Sequence, residues 1–288
     1  CALGYYEAQN YSFIGPREYD ALGLGADDPL RISVPLANPF GEDQSLMRTT
    51  LLPGLLHTLA LNIARRNNEL ALFETGAVFW PKALPITELP DERQMLGLVL
   101  HASGEDFFSI KGLIESLGEC LNIERLSFEA GGPNYLHPGQ KALVRSGKTP
   151  LGYIGALHPD VCAAFEIPGG ALVAELDWEA LIGAAKENVT ASPLPRHPAV
   201  ERDIALVMDI DQPAGPLVEM MKKAGGALLE SARPFDSYTG GQVGADKKSV
   251  AFSLVFRASN RTLTDEEITA AVNKILARAE KEFGAKLR

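Results

Sequence analysis

The chain has 288 residues, of which 46% are hydrophobic, and carries a formal net charge of −10. No apolar run approaches the roughly 18 residues that a membrane helix needs, so neither a membrane span nor a signal peptide is expected, and the length is enough for two domains. The charge is uneven. Residues 193–288 hold 14 Lys and Arg against 13 Asp and Glu, whereas residues 1–192 hold 13 against 24. Any contact with nucleic acid is therefore expected to be local and confined to the C-terminal part, which leaves the acidic part to another partner.

In chain order, the first strong periodicity is a helix from Pro53 to Asn67, with Leu55, Leu56, Leu59 and Ile63 as its apolar stripe and Arg65-Arg66 in its last turn. Leu70 to Trp80 reads as a buried strand. Ile110, Leu113, Ile114, Leu117 and Leu121 mark a second helix, and strands are expected at Ala142 to Arg145, Gly152 to Leu157 and Ala171 to Asp177. This part is expected to be α+β around a mostly antiparallel sheet. Between Lys186 and Pro198, Pro193, Pro195 and Pro198 stop regular structure and stiffen the link. The expected domains are 1–190 and 193–288.

The second domain reads as one βαββαβ unit. In Arg202 to Met208, Ile204, Leu206 and Met208 share one side while Asp203, Ala205 and Val207 share the other. Pro216 to Leu229 has Leu217, Val218, Met221 and Leu228 near helical spacing, and Arg233 to Tyr238 follows as a strand. Gly240-Gly241 and Gly244 close a hairpin onto Ser249 to Arg257, where Val250, Phe252, Leu254 and Phe256 form an apolar row opposed by Ala251, Ser253, Val255 and Arg257. Thr264 to Glu267 is a capping box that opens a helix marked by Ile268, Val272, Ile275 and Ala279, which ends near Gly284; Lys286 to Arg288 is a last short strand. Two helices cover the heavy faces of these strands, and the light face stays wet. A free sheet face with basic and aromatic side chains is a common way to hold single-stranded RNA.

Little in the first domain points to chemistry. Cys1, Cys120 and Cys162 are odd in number and widely spaced, which favours buried, reduced thiols in a cytoplasmic protein over disulfides or zinc. The five histidines, His57, His101, His137, His158 and His197, lack paired ligand spacing, so no metal site is expected. Gly23-x-Gly25 lacks the third glycine of a dinucleotide loop, and there is no phosphate-binding Gly-Lys loop and no Ser or Cys nucleophile motif. Asp43, Glu74 and Glu175 are carboxylates that nothing in the sequence pairs, and the sequons at Asn10, Asn188 and Asn260 mean little in a cytoplasmic chain.

A family resemblance rests on specific segments. Asn38-Pro39-Phe40-Gly41-Glu42-Asp43-Gln44-Ser45-Leu46-Met47-Arg48-Thr49-Thr50-Leu51-Leu52-Pro53-Gly54-Leu55-Leu56, Leu72 to Phe79, Lys111 to Glu115, Leu136 to Gln140 and Ile154 to Pro159 resemble the β chain of bacterial phenylalanine-tRNA ligase. The likeness continues through Arg202 to Ala205, Phe235 to Tyr238 and Arg261 to Ile268, in order and over nearly the whole chain. It implies a class II synthetase catalytic-like antiparallel-sheet domain at about residues 1–190, followed by a ferredoxin-fold anticodon-binding domain. The family's editing, oligonucleotide-fold and N-terminal modules fall outside this sequence, which starts at Cys1 rather than Met and reads as a C-terminal fragment.

The resemblance also implies what is missing. A working class II site holds the ATP α-phosphate with an Arg in a Phe-Arg-x-Glu strand and uses a second Arg after a Gly-rich strand. Here the first strand runs Gly76-Ala77-Val78-Phe79-Trp80-Pro81, with Trp80 in the position of that Arg, and Val173 to Glu179 offers neither the glycines nor the second Arg. This chain is expected to be inactive alone and to need no cofactor, with ATP and Mg²⁺ used by the holoenzyme. The implied partners are a catalytic α chain in an (αβ)₂ heterotetramer and tRNA-Phe, with no membrane and no DNA. Leu46, Leu51, Leu52, Leu55 and Leu59 are candidates for the α-chain contact if they are exposed, and core if they are not. Candidates for the anticodon are Asp203, Ala205, Asp236, Tyr238, Ser253 and Arg257 on the light face, with Arg196 and Arg202 at its rim; the plain alternative is solvated strand residues, with Arg202-Asp203 as a local ion pair. A stand-alone class II enzyme is opposed by the missing arginines, whereas a free-standing RNA-binding or regulatory paralogue of the β chain is not opposed by any residue.

Overall fold

The computed structural model describes residues 2–186, 194–241, 243–244 and 246–288; Cys1, Pro193 and Asn188 lie outside them. The chain divides into two compact units, Cys1–Thr190 and Ala191–Arg288. Among the described residues no helix is long and apolar enough to cross a membrane.

Unit 1 runs β1 (Tyr6–Glu7), β2 (Phe13–Ile14), α1 (Arg17–Ala21), β3 (Leu46–Met47), α2 (Leu52–Ala64), β4 (Leu70–Trp80), β5 (Asp91–His101), α3 (Phe107–Cys120), β6 (Leu126–Ala130), β7 (Leu136–Ser146), β8 (Thr149–Leu157), α4 (Pro159–Ala164), β9 (Leu172–Asp177) and α5 (Trp178–Ala184). Its main sheet has the order β1-β4-β5-β9-β8-β7-β6, antiparallel throughout except where β1 lies parallel to β4. Both faces are covered. Tyr19, Leu22 and the leucines of α2 fill one side with Val161 and Phe165, while Ile110 and Ile114 of α3 and Leu181 of α5 fill the other. Double coverage explains why β5 escapes a period-two reading: Met95 to Val99 form a continuous buried run, so apolar and polar residues do not alternate.

The α2 leucines settle one expectation. Leu51, Leu52, Leu55 and Leu59 are fully buried, because α2 lies directly on β4 and β5. Gly97 of β5 permits the approach: a Cβ there would stand 2.7 Å from Leu55 Cδ1 and 3.1 Å from Leu51 Cβ. These four side chains are core rather than a surface for another chain. Leu46 is half-buried in β3, and the exposed apolar residue of α2 is Leu61. Of the thiols expected to be buried, Cys162 is, but Cys120 at the end of α3 is exposed.

Unit 2 runs β10 (Val200–Asp209), α6 (Ala214–Gly225), β11 (Leu229–Tyr238), β12 (Lys247–Phe256), α7 (Asp265–Phe283) and β13 (Lys286–Leu287), a βαββαβ order with an antiparallel sheet β11-β12-β10-β13. Leu217, Met221, Ile268 and Ile275 of the helices pack on Leu206, Phe252, Leu254 and Phe256. The first helix stops at Gly225, four residues earlier than its periodicity suggests, because Gly226 takes a positive φ of 60° and turns the chain. β11 accordingly starts at Leu229 rather than Arg233. The α7 capping box forms as expected: Thr264 Oγ1 accepts from Glu267 N, Glu267 Oε2 accepts from Thr264 N, and Gly284 in the left-handed region closes the helix.

Candidate nucleic-acid interface

The register of the four-stranded sheet writes out its free face row by row. Tyr238 lies opposite Ser249, which lies opposite Val207; Asp236 lies opposite Ala251, then Ala205; Arg233 lies opposite Ser253, then Asp203. Among the described residues of unit 2 no helix covers this face, since α6 and α7 occupy the side of Leu206, Phe252 and Leu254. The centre is built from small side chains, Ala205, Ala251 and Ser253, which leave room for a flat group to approach the strands. Asp203, Asp236, Tyr238 and Arg233 stand exposed around it. Tyr238 is seated by Gly240, where a Cβ would come within 2.5 Å of its hydroxyl.

The structure sorts the basic candidates differently from simple parity. Arg202 is on the helix side of β10, opposite Leu254, and its Nη2 bonds to Asp265 at the start of α7 at 2.9 Å. It is therefore neither at the rim of the free face nor paired with Asp203. Arg257 is engaged within the unit: its Nε donates to Glu230 Oε2 at 2.5 Å and its Nη1 to the His197 carbonyl at 2.8 Å, fastening the segment before β10 to the sheet. Arg196 is exposed in that same segment.

Arg233 was missed by the sequence pattern. A period of two puts residues 233 and 236 on opposite faces, but the register slips between Pro234 and Asp236, so Arg233, Asp236 and Tyr238 share the free face. The available signal was Pro234, because proline inside a strand marks an edge or a bulge. The charges around this face are mixed rather than uniformly basic. Carboxylates at Asp203 and Asp236 accept from base amino groups and repel phosphates, so the face is shaped for unpaired bases more than for backbone.

The polar residues of unit 1 are satisfied from within. Glu175 of β9 is 4% exposed; its carboxylate accepts from Leu51 N at 2.7 Å, from Tyr153 Oη at 2.6 Å and from Thr50 Oγ1 at 2.9 Å. It thus caps the start of α2 from a neighbouring strand. Burial raises its pKa above the ordinary carboxyl range against the pull of these bonds. Glu74 pairs with buried Arg48 at 2.6 Å and accepts from Asn10 Nδ2 at 2.6 Å, while Arg48 Nε donates to the Ala77 carbonyl. Trp80 donates its indole N–H to the Thr49 carbonyl at 2.9 Å, and the Arg93 guanidinium lies 4.7 Å from its ring centroid. Asp43 is exposed on a short turn. The three carboxylates that sequence left unpaired therefore do not converge on a common cleft. Among the described residues no cluster of His, Cys, Asp and Glu is arranged to hold a metal ion.

A covered antiparallel sheet followed by a βαββαβ unit with one open face defines a two-unit α+β chain with a ferredoxin-like second unit. Residues 195–288 match the family described as ferredoxin-fold anticodon binding domain, and residues 1–178 match the phenylalanyl tRNA synthetase beta chain CLM domain. The chain belongs to the phenylalanine–tRNA ligase β-subunit family. It is 43% identical over its whole length to the phenylalanine–tRNA ligase beta subunit of Moorella thermoacetica, covering 37% of that protein, and 41% identical to that of Symbiobacterium thermophilum, covering 33%. The beta subunit of Clostridium acetobutylicum is 39% identical over 99% of the chain, which covers 36% of it. The chain thus spans about a third of the length of the curated relatives it matches.

Proposed function

We propose that this chain is a non-catalytic part of a cytoplasmic phenylalanine–tRNA ligase that receives the anticodon region of tRNA-Phe on the free face of unit 2 and holds a catalytic α chain through unit 1, in an (αβ)₂ assembly. The observation that carries the reading is the uncovered face of an anticodon-binding fold, with an exposed tyrosine, small central residues and two carboxylates along it.

The residues of unit 1 do not fit ATP. Trp80 stands where the resemblance puts a phosphate-binding Arg, and its only polar group is taken by a carbonyl. β9 presents a buried acidic side chain, Glu175, beneath Thr50 and Tyr153, where a triphosphate needs cationic donors. Packed apolar side chains on both faces of the described sheet support the same reading. ATP and Mg²⁺ then belong to the α chain. With the five candidate interface positions largely in the core, the α contact has to be made by other residues of unit 1. The purified chain should give no phenylalanine-dependent exchange of pyrophosphate into ATP, and should restore aminoacylation of tRNA-Phe when co-assembled, with the rest of its β chain, with an α chain. Exchange by the chain alone above a no-enzyme control, or failure to form a complex with α chain and tRNA by size-exclusion chromatography, would overturn the reading.

A further inference from the structure

We propose that the side chain of Arg288 is a built-in occupant of the free face, stacked on Tyr238 in the place a base takes, and that RNA binds by displacing it. The proposal rests on the reading of this face as an RNA-binding surface. Arg288 N donates to the Ala205 carbonyl at 2.9 Å, which continues the register of Leu206 with Leu287 and Val207 with Lys286. Side chains two residues apart share a face, so Arg288 rises with Lys286 on the free side, in the row Ala205, Ala251, Asp236.

Tyr238 belongs to the far edge strand. With strands spaced about 4.8 Å apart, β13 and β11 are separated by roughly 14 Å, so the two side chains meet only by leaning toward each other across the small residues between them. They do meet: the Arg288 guanidinium lies 5.2 Å from the Tyr238 ring centroid. Ser249, opposite Tyr238, is only 4% exposed on a face with no helix over it, as expected if side chains lie across the centre.

A planar guanidinium over a ring takes up the area that a stacked base would need. The two cannot share that face of the ring, because a base between them would require roughly 7 Å, twice a contact distance of about 3.5 Å. The arginine has more rotatable bonds than the tyrosine, so it is the partner that moves. The free chain therefore binds with its intrinsic affinity scaled by the fraction in which the ring is uncovered.

The test is binding of a fluorescently labelled tRNA-Phe transcript to the full chain. Arg288→Ala should tighten binding about two- to fivefold, the size of an exposed cation–π contact, and Arg288→Lys should tighten it less. Tyr238→Ala should weaken binding about tenfold, and adding Arg288→Ala to that variant should gain nothing further. In the free chain the Arg288 Nε–H proton should carry an upfield ring-current shift that saturating transcript removes. Weaker or unchanged binding by Arg288→Ala, with Tyr238→Ala still impaired, would overturn the displacement and leave the RNA face standing, as would a ring-current shift that survives saturation. Unchanged binding by both Tyr238→Ala and Arg288→Ala would overturn the displacement and the RNA face together.

Discussion

The two sheets of this chain differ in what covers them. The seven-stranded sheet of unit 1 carries packed side chains on both faces, and its buried carboxylates are each held by several donors. The four-stranded sheet of unit 2 carries helices on one face only, and its exposed aspartates look into solvent. A covered sheet can hold polar groups only by satisfying them, which makes them structural. An uncovered one leaves them available to a ligand.

The comparison predicts that polar substitutions cost stability in unit 1 and recognition in unit 2. The largest effect should come from Glu175→Ala, which leaves Leu51 N–H, Tyr153 O–H and Thr50 O–H without their acceptor. Several buried donors lost at once should cost about 3–5 kcal/mol, read as a lower midpoint of unfolding for unit 1 in urea. A shift under about 1 kcal/mol would mean that water replaces the carboxylate and that unit 1 is more open than its packing indicates. The pH dependence has a definite sign. Glu175 has a folded pKa raised mainly by burial, so its contribution is most favourable below the unfolded value and is lost as pH rises through the folded one.

Tyr238→Ala should be the counterpart in unit 2. Tyr238 is 40% exposed and outside the core of unit 2, so the unfolding midpoint should hardly move. Base stacking contributes about 1–3 kcal/mol, so in an assembled ligase the KM for tRNA-Phe should rise roughly tenfold or more, with phenylalanine activation unchanged. An equal loss in the tRNA-free activation step would place the anticodon elsewhere. Arg257→Ala, in contrast, should act by loosening the segment at His197 from the sheet, and so should lower the stability of unit 2 before it alters binding.

How far the sequence reached follows the same division. Where one face is wet, alternation is visible, and Ile204, Leu206, Met208, Phe252, Leu254 and Phe256 fall on the buried side in register. Where both faces are covered alternation disappears, so β5 gave no pattern, and the α2 leucines could not be divided between core and partner without seeing Gly97 beneath them. Long-range partners were equally hidden. Nothing local to Arg202 points to Asp265, and nothing local to Glu175 points to the start of α2. The bulge at Pro234 turned one further residue, Arg233, onto the face that parity denied it.

Arg233 is exposed beside Ser253, and its fork of donors suits either a guanine edge or a phosphate. Arg233→Ala should weaken tRNA binding by about 1–3 kcal/mol, and the dependence on salt tells the two apart: a phosphate contact lowers the slope against log salt by about one, while a base contact leaves it nearly unchanged. Unaltered binding at every salt concentration would remove Arg233 from the interface.

The smallest effect concerns the scaffold that keeps the free face presentable. α7 is the longest helix of unit 2, and its capping box joins Thr264 to Glu267, which Arg261 also grips through both carboxylate oxygens at 2.6 Å. The hydrogen bond from Arg261, with the Thr264 amide second, pulls the Glu267 pKa down to about 2. A depressed carboxylate contributes stability above its unfolded pKa and loses it as pH falls, so the gain from this box should fade between about pH 4.5 and about pH 2. Thr264→Ala should lower the stability of unit 2 by about 1 kcal/mol at neutral pH, with unit 1 unaffected and the tRNA affinity of the folded chain unchanged. Because Arg202 bonds to Asp265 in the same first turn, Arg202→Ala should act with it, on stability rather than on RNA. A selective loss of tRNA binding in Arg202→Ala, with unchanged unfolding, would return Arg202 to the recognition surface and break the division between covered and uncovered faces.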